Sequence, residues 1–386
     1  MLKLAILADD LTGALDTGVQ FSACGVRTAV TVGTVPPGDC TAAVCDLETR
    51  QLSPAAALAR TREAMENVLG MGTQYLYCKT DSGLRGNVGA ALEALSADGE
   101  PVLFAPAYPE NRRITAGGVH YVDGVPVSRS LFGRDALTPV RHDRIADILR
   151  DTGAPEITTC SGVLPERLRG VLAADAETDE DLDRLAETAL RRGIVRFAGC
   201  AGLAKQLVRR LTLPRDEPRA LPEKRPLLVL CGSISPVSLT QLQRAQEAGL
   251  PCFTLREAQK AGTAVLSAAM AEQGCAAVAS ARDEAEIREN NDRGWTAESV
   301  AAGLGEILRR TAEATDCGFF VIGGDTLMAA IRALGSCAVF PIHEAESGVV
   351  VCTLRRDEDE RLLITKSGSF GGPDTVVNTC IRFGAV

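Results

Sequence analysis

Short apolar or β-branched runs alternate along this chain with longer stretches rich in alanine and leucine. That alternation is the mark of parallel sheets with crossover helices. In the first part it predicts strands over 4–8, 28–32, 75–79, 102–105, 156–160 and 194–198, with helices over 54–69, 88–95, 181–192 and 201–211. One hairpin interrupts the pattern, HYVDGVPV at 120–127, with Asp123-Gly124 as its turn. Residues 211–226, LTLPRDEPRALPEKRP, hold four prolines and seven charges and read as a linker. The alternation then restarts. It predicts strands over 227–231, 252–255, 276–280, 319–322, 349–353 and 362–366, and helices over 237–248, 257–271, 297–312 and 327–334. The expected fold is α/β with two domains, 1–222 and 223–386. Each is a mainly parallel sheet flanked by helices, and the active site is expected in the cleft between them.

Length supports the division, because 386 residues exceed the roughly 250–300 at which single cores stop growing. A hydrophobic share of 46% with 24% charged residues belongs to an ordinary globular protein rather than a disordered chain. The formal net charge of -9 argues against nucleic-acid binding, which needs a basic stripe, so an anionic substrate must be met by a local cluster of cations. The chain has no run of about 20 apolar residues, and MLKLAILADDLTG at its start has no small-residue cleavage site. A cytoplasmic protein without a membrane partner is expected. The 13 cysteines are odd in number, form no CxxC and often sit in apolar runs, as do Cys78, Cys231 and Cys352. They read as reduced structural thiols. His120, His142 and His343 have no ligand-pair spacing, so no resident metal site is expected.

Five polar or glycine-rich clusters follow apolar strands directly, where an open α/β sheet displays its working groups. Asp9-Asp10-Leu11-Thr12-Gly13 follows the first strand. Two adjacent carboxylates there can bind polyol hydroxyls, hold a metal ion, take a proton or cap a helix. Lys79-Thr80-Asp81-Ser82-Gly83-Leu84-Arg85-Gly86-Asn87 sets two cations and a carboxylate ahead of a helix, a trap for a carboxylate or phosphate. Ala105 to Arg113 is a proline-stiffened loop with two arginines. Gly232-Ser233-Ile234-Ser235-Pro236 reads either as a helix cap or as a phosphate receiver. Gly323-Gly324-Asp325-Thr326 pairs with Lys366-Ser367-Gly368-Ser369-Phe370-Gly371-Gly372, two glycine loops whose N–H groups can approach phosphate, with Lys366 adding charge. No Walker loop and no GxGxxG after a strand occurs.

Taken together, ADDLTGA at 8–14, the Lys79–Arg85 segment, APAYPENRR at 105–113, Gly232-Ser233, GGDT at 323–326 and KSGSFG at 366–371 resemble the four-carbon acid sugar kinase family over nearly the whole chain. The resemblance implies an N-terminal sugar-acid-binding domain and a C-terminal nucleotide-binding domain. The reaction would phosphorylate a terminal hydroxyl of a four-carbon sugar acid with ATP and Mg2+. Carried over by motif, Asp9, Asp10, Lys79, Asp81 and Arg85 would bind the acid, and Ser233, Gly323, Gly324, Asp325, Thr326 and Gly368 would bind ATP. Gly83, Leu327, Met328, Ser367 and Ser369 depart from the family pattern. In the expected mechanism Arg85 and Lys79 hold the substrate carboxylate, and Asp9 or Asp10 orients hydroxyls. Asp325 serves as general base, with Asp10 as second choice. Two other classes compete: a dehydrogenase of a small hydroxy acid, disfavoured by the missing dinucleotide loop, and a non-catalytic sugar-acid sensor. The sequence leaves open which acid is used and the oligomeric state, a homodimer included.

Overall fold

The computed structural model describes residues 1–35, 38–154, 156–217, 219–335, 338–356 and 358–385. The chain divides into two units, residues 1–218 and 219–386, within the proline-rich connection and four residues before the expected boundary; Pro218 itself lies outside the described residues.

The first unit runs β1 (Leu4–Ala8), α1 (Leu11–Ser22), β2 (Thr28–Val32), β3 (Ala42–Asp46), α2 (Pro54–Gly70), β4 (Tyr75–Lys79), α3 (Val88–Ser96) and β5 (Val102–Ala105). It continues through β6 (Arg113–Ala116), β7 (Val119–Val122), β8 (Val125–Pro126), α4 (Ile145–Asp151), β9 (Ile157–Cys160), β10 (Val171–Ala174), α5 (Asp179–Arg191), β11 (Arg196–Gly199) and α6 (Ala201–Arg210). Its main sheet has the order β2-β3-β1-β4-β11-β5-β10-β9 with every pairing parallel. β1, β3, β5, β10 and β11 are buried at every residue, as strands covered on both faces require. β6, β7 and β8 form a separate antiparallel sheet that contains the expected Asp123-Gly124 turn.

The second unit runs β12 (Leu227–Cys231), α7 (Pro236–Glu247), β13 (Cys252–Thr254), α8 (Leu255–Ala261), α9 (Thr263–Gln273), β14 (Cys275–Ala279), α10 (Glu284–Asp292) and α11 (Ala297–Ala314). Then come β15 (Gly318–Ile322), α12 (Gly324–Leu334), β16 (Ala338–Glu346), β17 (Val349–Arg356), β18 (Asp359–Lys366) and α13 (Thr375–Phe383). The order is β13-β14-β12-β15-β18-β17-β16, parallel up to β18 and antiparallel in the last two pairings. Leu227, Val229, Phe320, Ile322, Val351 and Ile364 pack into one core with Leu242 of α7 and Val376 of α13. Each such side chain contributes roughly 1.5–3 kcal/mol on burial.

Three expectations need correction. β3, β10 and β16 were not foreseen: AAVCD and VLAA are wholly buried and alanine-rich, showing neither alternation nor strong β-propensity, and AVFPIHEAE carries a proline and two glutamates. The single helix expected over 257–271 is two, broken at Gly262, whose φ of 78° an L side chain resists. α12 begins at Gly324, so Gly324, Asp325 and Thr326 form a helical first turn rather than a loop. Among the described residues no helix is long and apolar enough to cross a membrane.

Candidate active site

In both units the singled-out residues gather at the C-terminal ends of three adjacent parallel strands. In the first these are β3, β1 and β4; in the second, β12, β15 and β18. In each case the chain leaves the middle of the sheet in both directions around the first strand, the switch-point geometry that opens a crevice for ligands.

The first site is a charged cluster. Asp10 ends the segment after β1 and caps α1, its Oδ1 accepting from Gly13 N at 3.0 Å. It is also ion-paired with Arg50, so capping is one of two tasks its carboxylate performs in the fold. The hub is Arg50, which the sequence reading missed. Its Nε donates to Asp9 Oδ2 at 2.8 Å, its two terminal nitrogens reach Asp10 at 2.9 Å, and Nη2 lies 3.6 Å from Asp81 Oδ1. Arg50 stands four residues beyond β3 in Asp46-Leu47-Glu48-Thr49-Arg50, a sixth polar cluster after a strand. Recognising that strand would have revealed it. Asn87 fixes the loop by donating to the carbonyls of Thr49 and Leu52 at 2.9 and 2.8 Å. A Cβ at Gly86 would come within 2.9 Å of Arg50.

Lys79 closes β4, only 4% exposed, and its Nζ donates to Thr80 O at 2.8 Å. Burial disfavours the ammonium, yet Asp9, Asp10 and Asp16 raise its pKa above the ordinary value. A Cβ at Gly13 would lie 2.5 Å from Asp10 Oδ1 and 2.6 Å from Lys79 Nζ, so glycine is what lets the two approach. Burial pushes the Asp9 carboxyl up, with Arg50 opposing and Asp10 adding to the rise; its Oδ1 is buried without a hydrogen-bond partner. Asp10 goes the other way: burial is outweighed by Arg50 and Lys79, which hold it below the carboxylate range.

Asp81 and Arg85 are already engaged with each other. Asp81 accepts from the N–H groups of Gly83 and Arg85 and from Arg85 Nε and Nη2 at 2.9 and 3.0 Å. Desolvation notwithstanding, Arg85 and Arg50 keep it far below the carboxylate range. Arg85 Nη1 donates to Asp135 Oδ2 at 3.0 Å, and its guanidinium lies 5.0 Å from the Phe132 ring centre. The ring also packs on Gly83, where a Cβ would come within 2.4 Å of it, which accounts for glycine at this departure from the family pattern. His120 braces the turn through Nε2 and Ser82 O at 3.0 Å; burial drives its pKa down to about 4. A cavity of about 160 Å³ adjoins Arg50, lined also by Leu84, Asn87, Thr138, Arg141 and His142. In the loop after β5, Arg112 pairs with Asp123 at 3.1 Å and the Arg113 guanidinium lies 5.9 Å from the Phe132 ring centre.

The second site is built mainly of glycines and hydroxyls, with Asp325 and Lys366 as its charged residues. A Cβ at Gly368 would lie 2.2 Å from Ser233 Oγ, one at Gly232 2.0 Å from Thr326 Oγ1, and one at Gly323 3.5 Å from Ser233 N. Ser233 therefore lies beside both Gly323 and Gly368, and Thr326 beside Gly232 and Gly323. Gly323, at φ 111°, is the N-cap of α12 and supplies no side-chain cap, so the first N–H groups of that helix remain for an anion. Asp325 is exposed on the same turn. Ser235 caps α7, accepting from Ser238 N at 3.1 Å. Lys366 points behind the glycine loop, where Ser367 O accepts from it at 2.8 Å. No group of three or more His, Cys, Asp or Glu side chains arranged for a metal ion occurs among the described residues.

Residues 4–207 match the model of a sugar-binding N-terminal domain and 228–376 that of a nucleotide-binding C-terminal domain. A D-threonate kinase of Cupriavidus necator is 32% identical over 95% of this chain and 94% of its own. A 3-oxo-tetronate kinase of Methylobacterium radiotolerans is 31% identical over 97% of each. A D-erythronate kinase of Heliobacterium modesticaldum is 27% identical over 99% of this chain and 97% of its own. Among solved structures, a Salmonella typhimurium LT2 protein described as a tRNA synthase superposes with a TM-score of 0.83, covering 99% of this chain and 100% of its own at 20% identity. At that identity the likeness speaks for the fold alone.

Proposed function

This chain belongs to the family that joins a sugar-binding N-terminal domain to a nucleotide-binding C-terminal domain, and on that premise we propose that it is an ATP-dependent kinase of four-carbon sugar acids. The observation that carries this reading is the contrast between its two strand-end sites. One offers carboxylates and cations suited to hydroxyls and a carboxylate, the other backbone N–H groups and small hydroxyls suited to phosphate.

In the proposed division of labour Lys79 takes the acid's carboxylate, because among the described residues its ammonium makes one hydrogen bond and so keeps two N–H donors. Asp10 and Asp9, held in place by Arg50, accept hydroxyls. Asp81 and Arg85 hold the loop through each other and through Asp135, a positioning task in place of the direct carboxylate contact expected for Arg85.

Ser233, Gly368 and the first turn of α12 at Gly323, Gly324, Asp325 and Thr326 hold the nucleotide phosphates. Mg2+ would come with the nucleotide as part of the substrate and would supply neutralisation of its phosphate charge. Asp325 is the proposed acceptor of the hydroxyl proton. Phosphoryl transfer depends chiefly on alignment and charge, so Asp325→Asn is expected to lower kcat while leaving both KM values near their original level.

A coupled ADP-release assay over D-threonate, D-erythronate and 3-oxo-tetronate tests the activity. Acid-dependent ADP release is expected with at least one of them. Binding of an acid without turnover would instead indicate a sensor, and enhanced NAD(P)H fluorescence on titration a dehydrogenase.

A further inference from the structure

We infer that Lys366 is a positioning residue of the nucleotide site, drawing in the carbonyls of the 367–372 loop so that its N–H groups face the phosphates; this rests on the nucleotide reading of the second unit. Lys366 closes β18 and is 1% exposed. Its Nζ donates to the carbonyl oxygens of Ser367 at 2.8 Å, Phe370 at 3.0 Å and Gly368 at 3.4 Å. Two hydroxyls from the start of α7 converge on the same Gly368 oxygen, Ser235 Oγ at 2.7 Å and Ser238 Oγ at 2.8 Å. Gln241 Nε2, one turn further along α7, donates to Phe370 O at 3.1 Å and Gly372 O at 2.8 Å. Four carbonyls of one short loop are thereby pulled toward β18 and α7.

A trans peptide sets each C=O opposite the N–H that follows it. Drawing in the oxygens of 367, 368 and 370 therefore turns the N–H groups of Gly368, Ser369 and Gly371 the other way. The intervening N–H of Phe370 is spent on Ser367 O at 3.3 Å. Among the described residues, none of the other three has a backbone or side-chain acceptor in the hydrogen-bond network. Neighbouring N–H groups turned to one side make an anion-binding concavity. Gly368, at its rim, touches Ser233, so the concavity adjoins the rest of the proposed nucleotide site.

Two costs support a functional rather than a purely structural role. Lys366 is a buried cation whose partners are neutral carbonyls, and Gln241 Oε1 is buried with no hydrogen-bond partner. A phosphate in front of the loop offsets the first, because only a peptide layer separates it from the ammonium. Burial pushes Lys366 down to about 8, while Cys231 on β12 and Glu346 on β16 favour its charged form. The Cys231 thiol is itself pushed up to about 12, and Glu346 accepts from Thr375 Oγ1 at 2.6 Å. The direction of the pH effect follows. Below pH 8 Lys366 carries its charge and all three donors; above it the amine is neutral. Bound phosphate favours the charged form, so nucleotide affinity falls as pH rises through 8.

The test is calorimetric titration of Mg-ADP into the full chain between pH 7.5 and 9, beside the KM for the acid. Between those limits the wild-type Kd should rise about tenfold, with the acid's KM flat. Lys366→Met should bind at least tenfold more weakly at pH 7.5 and show no further rise. Ser238→Ala, a milder change for which folding is checked by thermal melting, should weaken binding a few-fold. Failure of the wild-type chain to bind Mg-ADP at pH 7.5 would overturn the nucleotide reading. Binding that is flat with pH and unchanged in Ser238→Ala would overturn the positioning role alone.

Discussion

Two buried lysines occupy equivalent places in the two units, and their surroundings are opposite. Lys79 ends β4 and Lys366 ends β18, and each donates at 2.8 Å to the carbonyl of the next residue. Lys79 faces Asp9, Asp10 and Asp16, which hold its charge against burial. Lys366 faces carbonyls, and burial brings it down to about 8. One architecture thus makes two kinds of site. Where carboxylates surround the strand-end cation, the cluster is internally paired and suited to exchanging partners with a polyhydroxy acid. Where carbonyls surround it, the charge is met by neutral oxygens.

The sharpest way to break the comparison is at Arg50. Removing one partner of a buried ion cluster leaves uncompensated charge, which costs roughly 3–5 kcal/mol. Arg50→Ala should therefore lower the denaturation midpoint strongly and abolish acid-dependent ADP release. Arg50→Lys, which keeps the charge but not the fork that spans Asp9 and Asp10, should fold better and still lose most activity.

Acid attacks the first site through His120. Its folded pKa near 4 lies below the 6.5 of an unfolded histidine, so the unfolded chain binds the extra proton. Stability is full above pH 6.5 and is lost as pH falls toward 4, by about 3 kcal/mol at roughly 1.4 kcal/mol per pH unit. Denaturant melts across that window should show this slope, and His120→Gln should flatten it. Superimposable pH profiles for the two chains would remove His120 from the account.

Smaller effects separate the units. Gly368→Ala sets a methyl against Ser233 Oγ, an overpacking of about 1–3 kcal/mol that should raise the KM for ATP while sparing that for the acid. Ser235→Ala removes the α7 cap and one donor to Gly368 O, worth about 1 kcal/mol, and should raise the KM for ATP several-fold. Equal changes in both KM values would contradict the division of labour.

Much of this was legible in the sequence, because hydrophobic runs ending in polar or glycine-rich clusters are what a parallel sheet displays at its C-terminal edge. Asp9, Asp10, Lys79, Ser233, Gly323 and Gly368 all stand at such ends. Arg50 was hidden with its strand, since AAVCD is too small and too uniformly buried to announce itself. The pairing of Arg85 with Asp81 and Asp135 was hidden for a different reason. Charge counts in a segment do not say which charges neutralise one another, and Asp135 lies 50 residues away. Nor does a sequence show which way a lysine points, so the turn of Lys366 toward the carbonyls of Ser367 and Phe370 appeared only in three dimensions.

Phosphoryl transfer to a four-carbon acid is tested most directly by the phosphorus-31 NMR spectrum of a reaction containing ATP, Mg2+ and the acid that supports ADP release. Transfer to the terminal hydroxyl predicts a new phosphomonoester signal, equal in amount to the ADP formed and split into a triplet by the two protons of the adjacent CH2. ADP with inorganic phosphate alone, or a doublet from a secondary hydroxyl, would contradict it.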